Sequence, residues 1–322
     1  MEYVKIGNVE IEKTAALAPM ASVSDTSYRQ LCKEFGASYV VGEMVSSKGL
    51  FYSDKKTKRL LNVTDFERPM AVQIFGDDPY YMAKAVQVCL EYSPDIIDIN
   101  MGCPVPKVAG NGSGSALMKN PILAKSIIEA VVKESTVPVS VKIRKGWDDE
   151  NVNAVEIAKI AEDAGVSAIT VHGRTKRQMY SGKADWDIIR QVKEAVNVTV
   201  IGNGDVYSLN DCIEMYKKTN CDLVMIARGS YGNPWIFSDI KEYFQNGTTP
   251  KAPTNVERMQ VMLRHVKMIV DENGEENGMK MARKFAAWYL KGMKGAASLR
   301  NKCYSLTTYN ELETLANEVL NI

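Results

Sequence analysis

Residues 96–104 read Ile-Ile-Asp-Ile-Asn-Met-Gly-Cys-Pro, and this stretch contains the pattern that decides the fold. Its β-branched run predicts a short strand, which must end where Gly102 and Pro104 disfavour regular pairing. Cys103 is therefore expected on a loop at the carboxyl end of a strand. A thiol beside a bound substrate can donate a proton, attack an electrophile or ligate a metal, and no cysteine or histidine spacing in the chain supports the last role.

The same apolar, β-rich pattern recurs seven more times along the chain. The eight predicted strands are Ala15–Ala18, Tyr39–Val41, Ala71–Phe75, Ile96–Asn100, Val139–Ile143, Ala168–His172, Val198–Ile201 and Leu223–Ala227. Most of them are separated by segments with apolar residues at three- and four-residue spacing, which is typical of amphipathic helices. These predicted helices are Tyr80–Tyr92, Ile122–Glu134, Val152–Ala164, Trp186–Ala195 and Leu209–Lys218. Eight such units predict an α/β protein with a parallel (β/α)8 TIM barrel, whose active site lies at the carboxyl ends of the strands.

An open, doubly wound sheet is the structural alternative to the barrel. That fold typically carries a glycine fingerprint after its first strand, where this chain has Ala18-Pro19-Met20-Ala21, so the barrel is favoured. The glycine-rich run 110–115 lacks the strand context of a nucleotide-binding loop, and we interpret it as a mobile flap.

A change of pattern after the barrel predicts a second domain. Residues 246–255 are rich in breakers and have no periodicity, which indicates a linker between a barrel domain at 1–245 and a small, all-helical domain at 256–322. The predicted helices of that domain are Val256–Asp271, Gly278–Lys291, Gly295–Ser305 and Glu311–Asn321. Before the first barrel strand, Gly7-Asn8 predicts the turn of a small hairpin.

Composition and charge narrow the class of protein. A hydrophobic content of 45%, a charged content of 25% and a net charge of +1 indicate a globular protein without a charged tail, so any nucleic-acid surface must be local. The cysteines form no CxxC pair, as expected for reduced thiols. The first residues contain no signal-peptide core and the chain has no long apolar run, so we expect a cytoplasmic protein without a membrane segment. Nothing in the sequence indicates an obligate protein partner.

Polar side chains end six of the predicted strands, where a buried parallel strand would otherwise be apolar throughout. They are Gln73, Asn100, Lys142, His172, Asn203 and Arg228. Lys142 either pairs with a carboxylate inside the barrel or faces an anionic ligand. His172 is either a hydrogen-bonded core imidazole or a ligand contact.

Small residues end the last two strands, in the segments 201–205 and 227–229. Backbone N–H groups can approach an anion there, at the place where barrels commonly bind phosphate. Either segment alone is equally well an ordinary tight turn. Together with Arg228, which can bind an anion through two nitrogens, they favour a phosphate-bearing cofactor.

Seven motifs spread over nearly the whole chain point to one family. They are APMASVSD at 18–25, VQIFG at 72–76, DINMGCPVPKV at 98–108, SVKIRKGW at 140–147, VHGRT at 171–175, IGNGDV at 201–206 and ARGSYGNPWIF at 227–237. Through them the chain resembles the tRNA-dihydrouridine synthases, flavin enzymes that reduce uridine. The Asn-Met-Gly-Cys-Pro motif is highly specific, whereas flavin barrels share the phosphate-end motifs more loosely.

The resemblance implies a site for FMN. It implies that the flavin is lined by Pro19, Met20 and Ala21. It also implies a hydrogen bond from Gln73 to the isoalloxazine edge and a position for Lys142 near the N1–O2 side, where a cation tunes the cofactor. His172 is implied as a further flavin contact. Around the ribityl phosphate it implies Asn203, Gly204, Asp205, Ala227 and Arg228, although family members often have glycine where Ala227 stands.

The resemblance further implies the reaction. NADPH, or NADH, would reduce FMN, after which N5 would pass a hydride to C6 of a uracil while Cys103 donates a proton to C5. Asn100 would contact the uracil edge, and no metal is implied. The uridine must leave its RNA stack to reach the barrel mouth.

Residues 281–302 carry six basic side chains and no acidic one, with aromatic residues between them. Such a run is usually a solvated face, but with the resemblance it predicts tRNA binding by the helical domain. The expected RNA contacts are Arg283, Lys284, Lys291 and Arg300. Three alternatives stay open: a flavin barrel that reduces a free small molecule, as dihydroorotate dehydrogenases and ene-reductases do, a synthase for another structured RNA such as rRNA, and a barrel that binds RNA without catalysis.

Overall fold

The computed structural model describes residues 2–321 and contains, within that range, ten strands and fourteen α-helices. The strands are β1 (Tyr3–Ile6), β2 (Val9–Glu12), β3 (Ala15–Leu17), β4 (Tyr39–Ser46), β5 (Met70–Phe75), β6 (Ile96–Met101), β7 (Val139–Arg144), β8 (Ala168–His172), β9 (Thr199–Asn203) and β10 (Leu223–Ile226). The helices are α1 (Thr26–Glu34), α2 (Ser47–Phe51), α3 (Lys55–Lys58), α4 (Pro79–Leu90), α5 (Pro106–Ala109), α6 (Pro121–Glu134), α7 (Ala154–Asp163), α8 (Asp187–Ala195), α9 (Leu209–Thr219), α10 (Trp235–Asn246), α11 (Asn255–Asn273), α12 (Glu275–Tyr289), α13 (Ala296–Cys303) and α14 (Tyr309–Leu320).

Strands β3 to β10 form a closed barrel in which each strand is parallel to its neighbours in the chain and β10 pairs with β3. The predicted (β/α)8 barrel is therefore confirmed. Because all eight strands run in the same direction, their carboxyl ends meet at one end of the barrel. The polar residues that follow these strands are gathered at that end.

The hairpin β1–β2 packs into the barrel core, as the Gly7-Asn8 turn predicted. Ile6 and Ile11 are buried in one apolar cluster with Tyr39 and Ile96 of the barrel strands. Thr199, the first residue of β9, donates its hydroxyl hydrogen to the carbonyl oxygen of Lys5 at 2.5 Å. The hairpin thus lies at the amino ends of the strands, opposite the polar mouth.

The region after β4 differs most from the sequence prediction. A register shift between Val41 and Met44 lets β4 continue to Ser46, well beyond the predicted end at Val41. Ser46 then caps α2, because its hydroxyl oxygen accepts the N–H of Gly49 at 3.2 Å. The serine cap follows an irregular strand rather than a turn, so α2 could not be recognised as a separate helix from the sequence.

The chain divides into two compact units between Arg228 and Gly229. Helix α10 belongs to the second unit, whereas the sequence predicts a barrel domain at 1–245 that contains most of it. Within that unit the rings of Tyr231 and Trp288 stack with centroids 3.9 Å apart, which ties the segment before α10 to α12. The residues between α10 and α11 lack regular structure, as expected of the predicted linker at 246–255. The separate function assigned to residues 256–322 stays a prediction.

Candidate active site

The carboxyl ends of the barrel strands bring the predicted residues side by side. Neighbours in the strand register are Gln73 and Asp98, Asn100 and Lys142, and His172 and Asn203. Five of these six residues were predicted from separate positions in the sequence, Asp98 being the exception, and barrel closure brings all six together.

A chain of amide side chains links the barrel interior to the cysteine loop. The buried carboxylate of Asp98 accepts hydrogen bonds from Gln73 Nε2 at 2.6 Å and from the Ser140 hydroxyl at 2.5 Å. Gln73 Oε1 accepts a hydrogen from Asn100 Nδ2 at 2.8 Å, and Asn100 Oδ1 accepts the N–H of Cys103 at 2.9 Å. The remaining polar contact of Asn100 Nδ2 is the sulfur of Met44, a weak acceptor at 3.7 Å. The backbone position of Cys103 therefore depends on buried groups of β6 and of its two neighbouring strands, β5 and β7.

Cys103 is half-buried in the loop that follows β6. Its carbonyl oxygen accepts hydrogens from the amide and the hydroxyl of Ser115, at 3.1 and 2.8 Å. Burial raises the pKa of the thiol, although the N–H of Val105 and the charge of Arg144 act in the opposite direction. The thiol consequently keeps its proton at neutral pH, which is the state required of a proton donor.

Lys142 forms a hydrogen bond to a neutral amide across the mouth. Its Nζ donates to Asn203 Oδ1 at 2.8 Å, and Asn203 Nδ2 donates to the carbonyl oxygen of Met225 at 2.8 Å. Burial lowers the pKa of Lys142 to about 7, with a contribution from the charge of Arg144 and an opposing one from Asp98. An anion bound close to Nζ would raise this pKa again.

His172 is held as a neutral ring. Its Nδ1 accepts the backbone N–H of Arg174 at 3.1 Å, so the ring carries its proton on Nε2. Burial lowers the pKa of His172 well below its usual value, and the charges of Lys142, Arg144, Arg174 and Arg228 lower it further. These four charges are all positive, and such a concentration of cations favours an anionic ligand.

Arg174 is buried beside the turn that follows β9. Its Nη2 donates to Asp205 Oδ2 at 2.8 Å and to the carbonyl oxygen of Gly182 at 2.7 Å. Its Nη1 is also buried and has no hydrogen-bond partner among residues 2–321. A buried donor of this kind is costly unless a ligand meets it.

The two oxygens of the Asp205 carboxylate differ. Oδ2 accepts hydrogens from Arg174 Nη2 and from the Ala184 amide, whereas Oδ1 is buried without a hydrogen-bond partner among residues 2–321. Burial would raise the pKa of Asp205, but the hydrogen bonds from Arg174 and the Ala184 amide outweigh it and the pKa is lowered. Arg228 Nη2 lies 3.6 Å from the second carboxylate oxygen. Asp205 therefore pairs with two arginines at this end of the barrel.

Gly204 allows the sharp turn that precedes Asp205. Its φ angle of +125° is unfavourable for residues with a side chain, and an added Cβ would lie 2.8 Å from the Cβ of Ala184. Its carbonyl oxygen accepts the indole N–H of Trp186 at 2.9 Å.

Arg144 joins two loops of the mouth. Its Nε donates to the carbonyl oxygen of Gly102 at 2.7 Å, and its Nη1 donates to that of Thr175 at 2.9 Å. The guanidinium carbon lies 6.0 Å from the ring centroid of Tyr180, and that of Arg228 lies 4.9 Å from the same ring. The cysteine loop and the loop after β8 are thus connected through one buried cation.

The residues predicted to line the flavin form the turn after β3. Pro19 and Met20 are partly buried and Ala21 is exposed. The amide of Met20 donates to the Ser24 hydroxyl at 2.6 Å, which fixes the turn. Ala227, directly after β10, is partly buried and packs against the barrel core.

The predicted RNA contacts lie in the second unit. Arg283 is on α12 and donates its Nε hydrogen to the carbonyl oxygen of Leu306 at 2.8 Å, so it also has a structural function. Lys284 follows it on α12, Lys291 is exposed just beyond that helix, and Arg300 is on α13. Their function in RNA binding stays a prediction.

Comparison with known proteins identifies the family. The sequence model described as "Dihydrouridine synthase (Dus)" matches residues 16–321. The chain belongs to the dihydrouridine synthase family. It is therefore an enzyme, and the family resemblance seen in the sequence motifs is confirmed.

Two relatives show how far the similarity of this dihydrouridine synthase extends. The "Probable tRNA-dihydrouridine synthase" of Rickettsia conorii is 43% identical over 298 residues, which cover 92% of this chain and 90% of that protein. The "tRNA-dihydrouridine synthase B" of Pasteurella multocida is 41% identical over 308 residues, covering 96% and 93%.

Two solved structures share the fold of this dihydrouridine synthase. Histamine dehydrogenase from Rhizobium sp. 4-9 has a TM-score of 0.61 at 12% identity, and 6-hydroxypseudooxynicotine amine oxidase from Pseudomonas geniculata N1 has 0.59 at 14%. The matches cover 83% and 82% of this chain but only 50% and 52% of those larger proteins. At such low identity they support the architecture alone.

Four residues of this dihydrouridine synthase site were missed from the sequence. Asp98 and Arg144 carried a usable signal, because each is two positions from a selected residue on the same strand and points to the same side. Arg174 and Tyr180 follow β8 in an irregular loop, where no periodicity applies.

Metal-binding clusters and membrane-spanning helices are both absent from the described residues of this dihydrouridine synthase. Residues 2–321 contain no group of three or more His, Cys, Asp or Glu side chains arranged to hold a metal ion. Over the same residues, no helix combines the length and the apolar character that crossing a membrane requires.

Proposed function

We propose that this chain is an FMN- and NADPH-dependent tRNA-dihydrouridine synthase. It reduces the C5–C6 double bond of uridines in tRNA, so that uridine, NADPH and a proton give 5,6-dihydrouridine and NADP+. The observation that carries the proposal is the protonated Cys103 thiol, held through Asn100 at the edge of a cationic barrel mouth. The family match and the printed names of the relatives support uridine in tRNA as the substrate.

The residues of the mouth fit FMN. The buried Nη1 of Arg174, which has no hydrogen-bond partner within residues 2–321, and the four cations around His172 suit an anionic cofactor. Gln73 and Lys142 would hold the isoalloxazine, beside the turn formed by Pro19, Met20 and Ala21. Asn203, Gly204, Ala227 and Arg228 would hold the phosphate end, while Asp205 orients Arg228.

When bound, FMN would supply hydride-transfer chemistry, which carries a hydride from the reduced nicotinamide to C6 of the uracil. The chain's own residues have separate tasks. Lys142 contributes positive charge at the isoalloxazine edge, and the neutral His172 offers its Nε2 hydrogen as a donor. Arg144 fixes the loop that carries the thiol by holding the carbonyl oxygen of Gly102.

Cys103 acts as the general acid. Hydride addition at C6 creates negative charge that spreads over C5 and O4 of the uracil, and Cys103 Sγ gives its proton to C5. The thiolate that remains is stabilised by the nearby charge of Arg144 and then takes a proton from solvent. Asn100 keeps the cysteine backbone in place and can offer Nδ2 to a uracil oxygen if the contact with Met44 is released.

The substrate must be extruded from the RNA stack, because C5 and C6 react only inside the mouth. We assign the surrounding RNA contacts to Lys284, Lys291 and Arg300, with Arg283 in both a structural and a binding function. NADPH is the proposed reductant, with NADH as an alternative donor. A cytoplasmic location, where tRNA is found, is part of the proposal.

The first prediction concerns Cys103→Ala. We expect this variant to bind FMN and to be reduced by NADPH like the wild type, but to lose nearly all dihydrouridine formation on unmodified tRNA, since general acid catalysis contributes about 10²–10⁴-fold. Product is measured by mass spectrometry of the digested tRNA, and flavin reduction is followed by absorbance.

Cys89→Ala is the matched control, because Cys89 is a buried thiol on α4, away from the strand ends. Normal product formation by Cys103→Ala would reject Cys103 as the acid. If the wild-type protein binds FMN but reduces only rRNA or a free pyrimidine, the assignment of tRNA as the substrate is wrong.

A further inference from the structure

An exposed group of aromatic rings lies outside the site described so far. It consists of Phe51, Tyr52, Tyr80 and Tyr81, here called the rim cluster, and the Phe51 ring contacts each of the other three edge to face. The Phe51 ring centroid lies 5.1 Å from that of Tyr52, 6.0 Å from that of Tyr80 and 5.0 Å from that of Tyr81. The hydroxyl oxygens of Tyr52 and Tyr81 are 3.5 Å apart.

The rim cluster leaves much of its ring area in solvent. Tyr52 is 70% exposed, Tyr80 is 56% exposed and Phe51 is 39% exposed. Rings that only complete a core are largely buried, whereas contiguous exposed aromatic area is typical of an interaction surface.

The rim cluster is at the same end of the barrel as Cys103. Phe51 and Tyr52 follow β4, and Tyr80 and Tyr81 begin α4 after β5. The last residues of these two strands, Ser46 and Phe75, are neighbours in the sheet register.

The flap connects the rim cluster with the cysteine loop. At one side, Ser115 donates two hydrogen bonds to the Cys103 carbonyl oxygen. At the other side, a Cβ on Gly112 would lie 3.6 Å from the Cβ of Asp77, two residues before α4. Asp77 in turn pairs with Lys48 at 2.9 Å, and Lys48 Nζ lies 5.7 Å from the Tyr81 ring centroid.

The segment around the rim cluster is basic. Between residues 47 and 62 the sequence contains Lys48, Lys55, Lys56, Lys58 and Arg59 against a single acidic residue, Asp54. The carboxylate of Asp54 is used to cap α3, where it accepts the N–H of Thr57 at 3.0 Å. Exposed rings flanked by lysines are the combination that binds unpaired nucleotides, because bases stack on the rings while the cations meet the phosphates.

We infer that the rim cluster is a second RNA-contact surface, on which unpaired bases of the substrate stack while the target uridine occupies the mouth. The inference rests on the proposed function, since it concerns the same RNA. An RNA fits better than an apolar protein surface because three of the four rings carry a polar hydroxyl and Lys48 lies over the ring of Tyr81. The target nucleotide and its neighbours must be unstacked for reduction, and the rim cluster offers those neighbours a replacement stacking partner.

The test replaces Tyr52 and Tyr80 together by leucine and measures binding of an unmodified tRNA transcript by fluorescence anisotropy over a range of salt. We expect Kd to rise about ten-fold, in keeping with the effect of removing stacked aromatic residues. The slope of log Kd against log salt should not change, because phosphate contacts remain. The pair Tyr52→Phe with Tyr80→Phe retains ring faces and should bind within about two-fold of the wild type.

Tyr3→Leu is the matched control, because Tyr3 is 58% exposed in β1, at the opposite end of the barrel. Wild-type affinity in the double leucine variant, with normal FMN binding, would overturn the inference while leaving the proposed function intact. A wild-type protein that neither binds the transcript nor forms dihydrouridine would overturn the proposed function itself. If the wild type sediments as a dimer and the double leucine variant as a monomer, the rim cluster is a self-association surface instead.

Discussion

Burial has opposite consequences for Cys103, in the loop that follows β6, and for Lys142, on the adjacent strand β7. Loss of hydration disfavours the charged form of each group, so it raises the pKa of the thiol and lowers the pKa of the amine. Burial thus keeps the proton on Cys103, the proposed acid. It also lets Lys142, the proposed cofactor contact, titrate near neutral pH. The lowered pKa of Lys142 therefore predicts that the affinity for FMN depends on pH.

We expect FMN affinity of the cofactor-free protein to fall as the pH rises above about 7, by up to about ten-fold per pH unit. The sign follows because Lys142, with a pKa of about 7, is mostly uncharged above that pH and must take up a proton to face an anion. Fluorescence titration between pH 7 and 9, with calorimetry in two buffers of different ionisation enthalpy, measures the affinity and the proton uptake.

The Lys142→Met variant should bind FMN more weakly and with little pH dependence over this range. The same decline of affinity with pH in this variant would assign the titration to another group.

At the scale of elements, one buried ion pair joins α1 to the segment that leads into β5. Arg29 Nε lies 2.6 Å from Glu67 Oε1, and both side chains are almost completely buried. The other oxygen of Glu67 accepts the N–H of Thr64 at 2.9 Å. A single carboxylate therefore neutralises a core guanidinium and caps a turn.

We expect Glu67→Ala to destabilise the barrel unit by about 3–5 kcal/mol, because it leaves the Arg29 charge buried without its partner. Urea unfolding followed by circular dichroism measures the loss. The exposed pair of Arg190 and Glu194 on α8 provides the comparison, and Glu194→Ala should cost about 1 kcal/mol or less. Similar losses in both variants would show that the buried pair contributes no more than a surface pair.

At the scale of the whole molecule, the net charge of +1 hides a strong local concentration of basic residues. The stretch 281–302 has six cations and no anion, and one of them, Lys302, pairs with Glu318. An RNA surface in this unit is thus compatible with an almost neutral protein, because long-range attraction depends on the local potential.

We expect Lys284→Ala combined with Lys291→Ala to weaken tRNA binding and to reduce the slope of log Kd against log salt by about one to two units, while FMN binding is unchanged. Lys302→Ala is the control from the same stretch, because its charge is already matched by Glu318. An unaltered slope in the double variant would place the phosphate contacts elsewhere. These two lysines are preferred to Arg283 because that side chain also holds the Leu306 carbonyl oxygen.

Much of the architecture and the mouth could be predicted from the sequence because both depend on regular patterns. Apolar, β-rich runs alternating with segments of helical spacing indicated the barrel, and polar residues at the ends of such runs identified Gln73, Asn100 and Lys142. Helix α2 was missed because it follows an irregular strand. The boundary between the two units differs from the predicted one because nothing in the sequence of α10 indicates which helices it packs against. Arg174 was missed because hydrogen bonds to loop carbonyls, such as that of Gly182, leave no trace in a sequence.

The hydrogen-bonded chain from Asp98 to Cys103 makes the cysteine motif a poor candidate for grafting. Its central link is Gln73 on β5, and its carboxylate is fixed by Ser140 on β7, so neither partner travels with residues 96–104. An engineer who copied only that loop into another barrel would transfer the thiol without its alignment. The portable unit is a three-strand sector of the barrel, β5 to β7, with its register intact.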